Sequence, residues 1–115
     1  MSTIRHDDVG EDLRRILISG RLDTTGTNSI ASKLIELAGG ARKAVVVDLS
    51  HVQFLASIAL GALISCAKAV SARGGKMALV ADKGSTVMMS LEATGVDRLI
   101  PIFRNLPDAE KATLG

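Results

Sequence analysis

The segment Ala44-Val45-Val46-Val47-Asp48-Leu49 constrains this chain most. A continuous apolar run, Ala-Val-Val-Val, carried into Asp48-Leu49 fits a strand buried on both faces, which requires helices on each side of a largely parallel sheet. The rest of the chain agrees with that reading. Arg14 to Ser19 is a short β-branched run closed by Gly20, and Thr3 to His6 fits an edge strand beside it. After Asp23, Ile30, Ala31, Leu34, Leu37 and Ala38 recur at helical spacing until Gly39-Gly40, so a helix capped by Asp23 or Thr24 is expected. His51 reads as a solvated turn residue after a strand that ends at Ser50.

A second helix opens at Ser57, a natural N-cap, with a stripe of Leu60, Leu63, Ile64, Ala67 and Val70 that runs to Arg73-Gly74-Gly75. Met77 to Val80 follows as a strand. Asp82-Lys83-Gly84-Ser85 then turns into a short helix carrying Val87, Met88 and Leu91, which Gly95 stops. Leu99 to Phe103 is a last strand, and Pro101 restricts it to an edge or to a short span because proline donates nothing to a central ladder. Asp108 to Leu114 closes the chain as a helical turn or two. The expected class is α/β, with a mixed sheet of four to five strands and about four helices packed mainly on one face. Residues 1–115 form one domain, since no Pro, Gly or Ser tract divides them.

Composition removes several classes of function. With 47% hydrophobic and 23% charged residues the chain has enough apolar surface for a core. It has no Trp or Tyr and only Phe54 and Phe103, so aromatic platforms for stacking nucleic-acid bases are missing. The 14 basic residues are scattered and offset by 12 acidic ones, which argues against a nucleic-acid partner despite a net charge of +2. Phe54 to Ala67, the longest apolar stretch, is too short to span a bilayer. Met1 to Gly10 is polar and carries no signal-peptide core, and the one cysteine, Cys66, lies in an apolar stretch; a cytoplasmic location is expected.

No catalytic constellation accompanies Ser57. Leu55-Ala56-Ser57-Ile58-Ala59 lacks the glycines of a nucleophile elbow, and His51 is the sole nearby candidate base. Gly74-Gly75-Lys76 resembles the end of a phosphate loop, but Val70 stands where the first glycine belongs and Met77 where the metal-binding hydroxyl belongs. His6, His51 and Cys66 share no ligand spacing, so no metal or other cofactor is expected, and Cys66 reads as a core residue. Two readings of Ser57 stay open on the residues alone: an ordinary helix cap, or a hydroxyl at a helix start where unpaired N–H groups would accommodate a phosphate.

Gly20-Arg21-Leu22-Asp23, Val45-Val46-Val47-Asp48-Leu49-Ser50 with Val52 and Phe54-Leu55, Gly74-Gly75-Lys76-Met77-Ala78-Leu79-Val80 and Thr94-Gly95-Val96-Asp97-Arg98-Leu99-Ile100 occur in one order over most of the chain. In that order and spacing the sequence resembles the STAS family of bacterial anti-sigma factor antagonists. The resemblance implies a STAS-type fold and a protein-binding switch, not an enzyme. Its partner would be an anti-sigma factor that is also a serine kinase, with a serine phosphatase reversing the modification. By position, Ser57 corresponds to the family's phosphorylated residue in Asp-Ser-Ser/Thr-Gly, while Ala56, Ile58 and Ala59 depart from that motif. The implied partner surface comprises Arg21, Asp23, Thr24, Ala56, Ser57, Ile58, Leu60 and Gly61. A second role found in the family, as a cytoplasmic accessory subunit of a lipid-transporting ABC system, is the alternative.

Overall fold

The computed structural model describes residues 2–40 and 42–115. Two strands, β1 (Ser2–Val9) and β2 (Leu13–Leu22), lead into helix α1 (Thr24–Ala38). Strand β3 (Ala44–Leu55), helix α2 (Ser57–Ala72), strand β4 (Lys76–Val80) and helix α3 (Thr86–Ala93) follow. A 3₁₀ turn (Val96–Arg98), strand β5 (Ile102–Phe103) and helix α4 (Leu106–Leu114) complete the chain. The sheet order is β1-β2-β3-β4-β5, antiparallel between β1 and β2 and parallel elsewhere. This is the mixed α/β sheet expected from the sequence.

The run in β3 behaves as its composition requires: Val45, Val46 and Val47 are each fully buried. Val45, Val47 and Leu49 join one core with Ile16 and Ile18 of β2, Leu34 of α1, Leu63 and Cys66 of α2 and Leu91 of α3. Ala44 and Val46 face the opposite way, against Leu13, Ala78, Val80 and Ala109 of α4. Three helices thus cover one face and only α4 the other, the unequal distribution that was expected. Arg15 ties α4 to the sheet through a two-pronged ion pair with Glu110, at 2.5 and 3.1 Å.

Several element boundaries differ from expectation, each for a physical reason. β2 runs through Gly20, which adopts φ 97° and lies at a break in register. β3 continues to Leu55 because it carries two extra residues. Leu17 pairs with Asp48 but Ser19 with His51, and Gly20 pairs with Val52 but Arg21 with Phe54. These bulges return Val52 and Leu55 to the core face after the simple alternation has ended. His51 is consequently an exposed strand residue and not a turn residue.

At the other edge, Pro101 precedes β5 instead of lying within it, and its carbonyl accepts from the Leu79 N–H at 2.9 Å. The strand is two residues long, as short as an edge with proline implies. α4 begins two residues before the expected Asp108, because Asn105 caps it by accepting from the Asp108 N–H at 2.9 Å and Pro107 fits its first turn.

Candidate partner-binding site

Parallel pairing brings the ends of β2 and β3 together. Leu22 is opposite Leu55, and the Ala56 N–H donates to the Leu22 carbonyl at 2.9 Å. Each strand passes through one extended residue into a helix, so the first turns of α1 and α2 emerge side by side at the carboxyl end of the sheet. Ligand-facing surfaces of open α/β sheets form at such ends.

The two helix starts share a frame and differ in chemistry. Before α1, Asp23 caps with its Oδ1, accepting from the Gly26 N–H at 2.7 Å, while its carbonyl accepts from the Thr27 N–H at 2.8 Å. Gly26 is required there, because a Cβ at this position would sit 2.0 Å from the Arg21 carbonyl oxygen. Before α2 the capping position belongs to Ala56, in extended conformation, and no side chain caps the helix. Ser57 is therefore the first helical residue and not the N-cap predicted from its hydroxyl. Its side chain is exposed, at a helix start whose first-turn N–H groups no capping side chain claims.

Around Ser57 the structure assembles most of the predicted surface. Arg21, Thr24, Ile58 and Gly61 are exposed, and Asp23 and Ala56 are half-buried. Ile58 is 42% exposed, an apolar side chain with no place in the core. Leu60 does not belong to this surface: it is 9% exposed and packs into the main core, because the burial phase of α2 places Ala59, Leu60, Leu63, Cys66 and Val70 inward. Phe54, half-buried, joins this surface although no pattern in the sequence marks it. Its ring lies under the Arg21 guanidinium, 4.8 Å from centroid to Cζ, and holds that cation over a residue three positions before Ser57. The register pair Arg21 to Phe54 creates this contact, and it depends on a bulge that alternation does not reveal.

The remaining chemistry-bearing residues lie elsewhere. His51 Nδ1 is 3.1 Å from the Ser50 hydroxyl, on its own strand. Cys66 is buried in α2, and burial pushes its thiol pKa up, which leaves it protonated and inert. Among the described residues no three His, Cys, Asp or Glu side chains are grouped to hold a metal ion, and no helix is long and apolar enough to cross a membrane.

Residues 6–109 match the family model of the STAS domain. The chain is 28% identical over 91 residues to an anti-sigma F factor antagonist of Paenibacillus polymyxa, covering 78% of this chain and 77% of that protein. The crystal structure of an anti-sigma factor antagonist from Mycobacterium paratuberculosis superposes with a TM-score of 0.89 at 24% identity, over 100% of this chain and 96% of that one. The Bacillus cell fate determinant SpoIIAA in its phosphorylated form superposes with a TM-score of 0.68 at 16% identity, over 96% of this chain and 99% of that one.

Proposed function

The chain belongs to the STAS domain family, and from that premise we propose that it is an anti-sigma factor antagonist whose binding is switched by phosphorylation of Ser57. The partner in this reading is an anti-sigma factor with serine kinase activity, met in the cytoplasm, and a serine phosphatase resets the switch. The carrying observation is the exposed Ser57 hydroxyl at the uncapped start of α2, beside the start of α1. Similarity to an anti-sigma F factor antagonist over most of both chains supports the partner class.

The contact surface consists of Arg21, Asp23, Thr24, Ala56, Ser57, Ile58 and Gly61, with Leu60 supporting it from beneath. Unphosphorylated, it offers an exposed apolar side chain, Ile58, the neighbouring Ser57 hydroxyl and the exposed Arg21. A phosphate on Ser57 adds about −1.5 to −2 charge at pH 7, and the positive end of α2 accommodates it. Ala56 contributes no carboxylate that would repel the new charge. The domain therefore keeps its shape, and the partner is displaced by charge and bulk in the interface, where an unpaired buried charge is costly. No turnover chemistry is assigned to Ser57, since the nearby candidate base, His51, is hydrogen-bonded to the Ser50 hydroxyl.

Two measurements test the proposal together. Intact mass after incubation with the kinase and ATP should show one phosphate on the parent and none on Ser57→Ala. Titration calorimetry should show Ser57→Asp, Arg21→Ala and Ile58→Asp binding the partner at least about tenfold more weakly than the parent, the effect of roughly 1.4 kcal/mol at an interface. An unmodified Ser57 together with parent-like binding by Ser57→Asp would overturn the switch.

A further inference from the structure

β1 is the outer strand of the sheet, paired on one side only. It is eight residues long, Ser2–Val9, and its register with β2 is unbroken from Ser2 opposite Gly20 to Val9 opposite Leu13. Sheet edges are usually protected from further pairing by proline, a bulge, a short span or a covering element. β1 has neither proline nor glycine, no bulge interrupts it, and all but Ser2 and Ile4 are exposed. Its alternate outward N–H and C=O groups are thus presented along an edge of unbroken register. Charge is the one remaining protection, and the order of the charges decides whether it repels a second strand or recruits one.

The two faces of β1 are distinct. Ile4 packs against the main core, so Ile4, His6 and Asp8 lie on the face covered by α1, α2 and α3. Thr3, Arg5 and Asp7 lie on the other. Asp8 is already engaged, with Arg14 Nε at 2.7 Å and Arg42 Nη2 at 3.3 Å. Among the described residues Asp7 reaches only the Arg15 guanidinium, at 3.5 Å, with its side chain 63% exposed, and Arg5 is exposed.

Two copies of one strand pair antiparallel about a two-fold axis normal to the sheet, which keeps the two faces on their own sides. Residues directly opposite must then share a face, so the axis passes through a residue and not between two. An axis at Arg5 sets Arg5 against Arg5, and an axis at Asp7 sets Asp7 against Asp7. An axis at His6 sets His6 against His6, but it also sets Arg5 of each copy opposite Asp7 of the other, twice by symmetry, and pairs Thr3 with Val9 and Ile4 with Asp8. Only this register converts the charged edge into a self-complementary one, and it also gives the exposed Val9 a partner.

We propose that the free edge of β1 pairs antiparallel with β1 of a second copy of this chain, in the register centred on His6, to form a ten-stranded sheet. The inference does not depend on the phosphorylation of Ser57. Because the joined strands run in opposite directions, the carboxyl ends of β2 and β3 in the two copies point to opposite ends of the dimer. Both partner surfaces stay open, and one dimer presents two of them.

Sedimentation equilibrium of the full chain over a wide concentration range, read alongside circular dichroism to verify folding, tests this. The parent should associate reversibly to a dimer. Arg5→Asp and Asp7→Arg should each weaken dimerisation at least about tenfold, since each sets like charges opposite one another. An equimolar mixture of the two variants should restore it. Across the axis of the mixed dimer the introduced aspartate of one chain faces the introduced arginine of the other, and the retained Asp7 faces the retained Arg5. A measurement on the parent alone guards against a variant that fails to fold: protection of β1 amides from hydrogen exchange should rise with protein concentration, while protection in β4 should not change. A parent that stays monomeric up to about 1 mM, a dimer indifferent to both charge reversals, or β1 exchange independent of concentration would each overturn the proposal.

Discussion

Asp23 and Ala56 hold equivalent places at two neighbouring helix starts, yet only the first has a side chain that can cap. Serine is a favoured capping residue, and on the sequence alone Ser57 reads as the cap. Tertiary structure shifts the phase by one residue: Leu55 must lie opposite Leu22, and Ala59 must face the core, which leaves Ala56 alone for the turn. Three substitutions follow from that one-residue shift. Ala56→Asp should supply the missing cap and raise unfolding free energy by ~1 kcal/mol, whereas Asp23→Ala should lower it by about the same amount. Ser57→Ala, at a first helical position and exposed, should stay within roughly 0.5 kcal/mol of the parent. Chemical denaturation of the three variants measures this, and a loss of about 1 kcal/mol or more for Ser57→Ala would return the capping role to Ser57.

The elements were legible wherever one periodicity sufficed. The valine run of β3, the apolar stripes of α1 and α2 and the position of α3 follow from spacing, because each needs only neighbours within its own segment. The second half of β3 was not legible, since two bulges displace the inward positions from Leu49 to Val52 and then to Leu55. The same distinction between local and tertiary control separates two glycines in the helices. Gly61 is exposed, and a Cβ there meets nothing within 4 Å, so Gly61→Ala should stabilise α2 by about 0.5–1 kcal/mol. Gly26 lies against the Arg21 carbonyl, and Gly26→Ala should cost more than ~2 kcal/mol, because backbone has to move to relieve that contact. Thermal melts of the two variants should therefore shift in opposite directions. Leu60→Asp should disrupt the fold itself, as it buries a charge in the core, and so cannot serve as a probe of the partner surface.

At the scale of the whole molecule, the fold class and the unequal covering of the two sheet faces could be read from the sequence, but the ion pairs that join distant elements could not. Arg15 meets Glu110 across 95 residues, and Arg14 joins Asp8 of β1 while also donating to the Leu37 carbonyl at the end of α1 at 3.2 Å. Spacing carries no information about such pairs, which depend on the assembled topology. They do make a prediction about acid stability. The Arg14 guanidinium, hydrogen-bonded to Asp8 through Nε and Nη2, holds the Asp8 carboxyl below its ordinary value of 3.8, with Arg42 contributing from the loop before β3. A carboxyl whose pKa is lower in the folded than in the unfolded chain contributes stability that is fully present above the unfolded value. That contribution is lost as pH falls through the folded value. Between pH 7 and 5 the Asp8 contribution should consequently be constant, and it should decline below about pH 4. Asp8→Asn keeps the size of the side chain but cannot titrate. Urea unfolding at pH 7, 5 and 3 should show this variant less stable than the parent by a constant margin at the first two values and by a smaller margin at the third, which lies below the ordinary carboxyl value of the unfolded chain. A margin that stays unchanged at pH 3 would mean that Asp8 acts through packing and not through its charge.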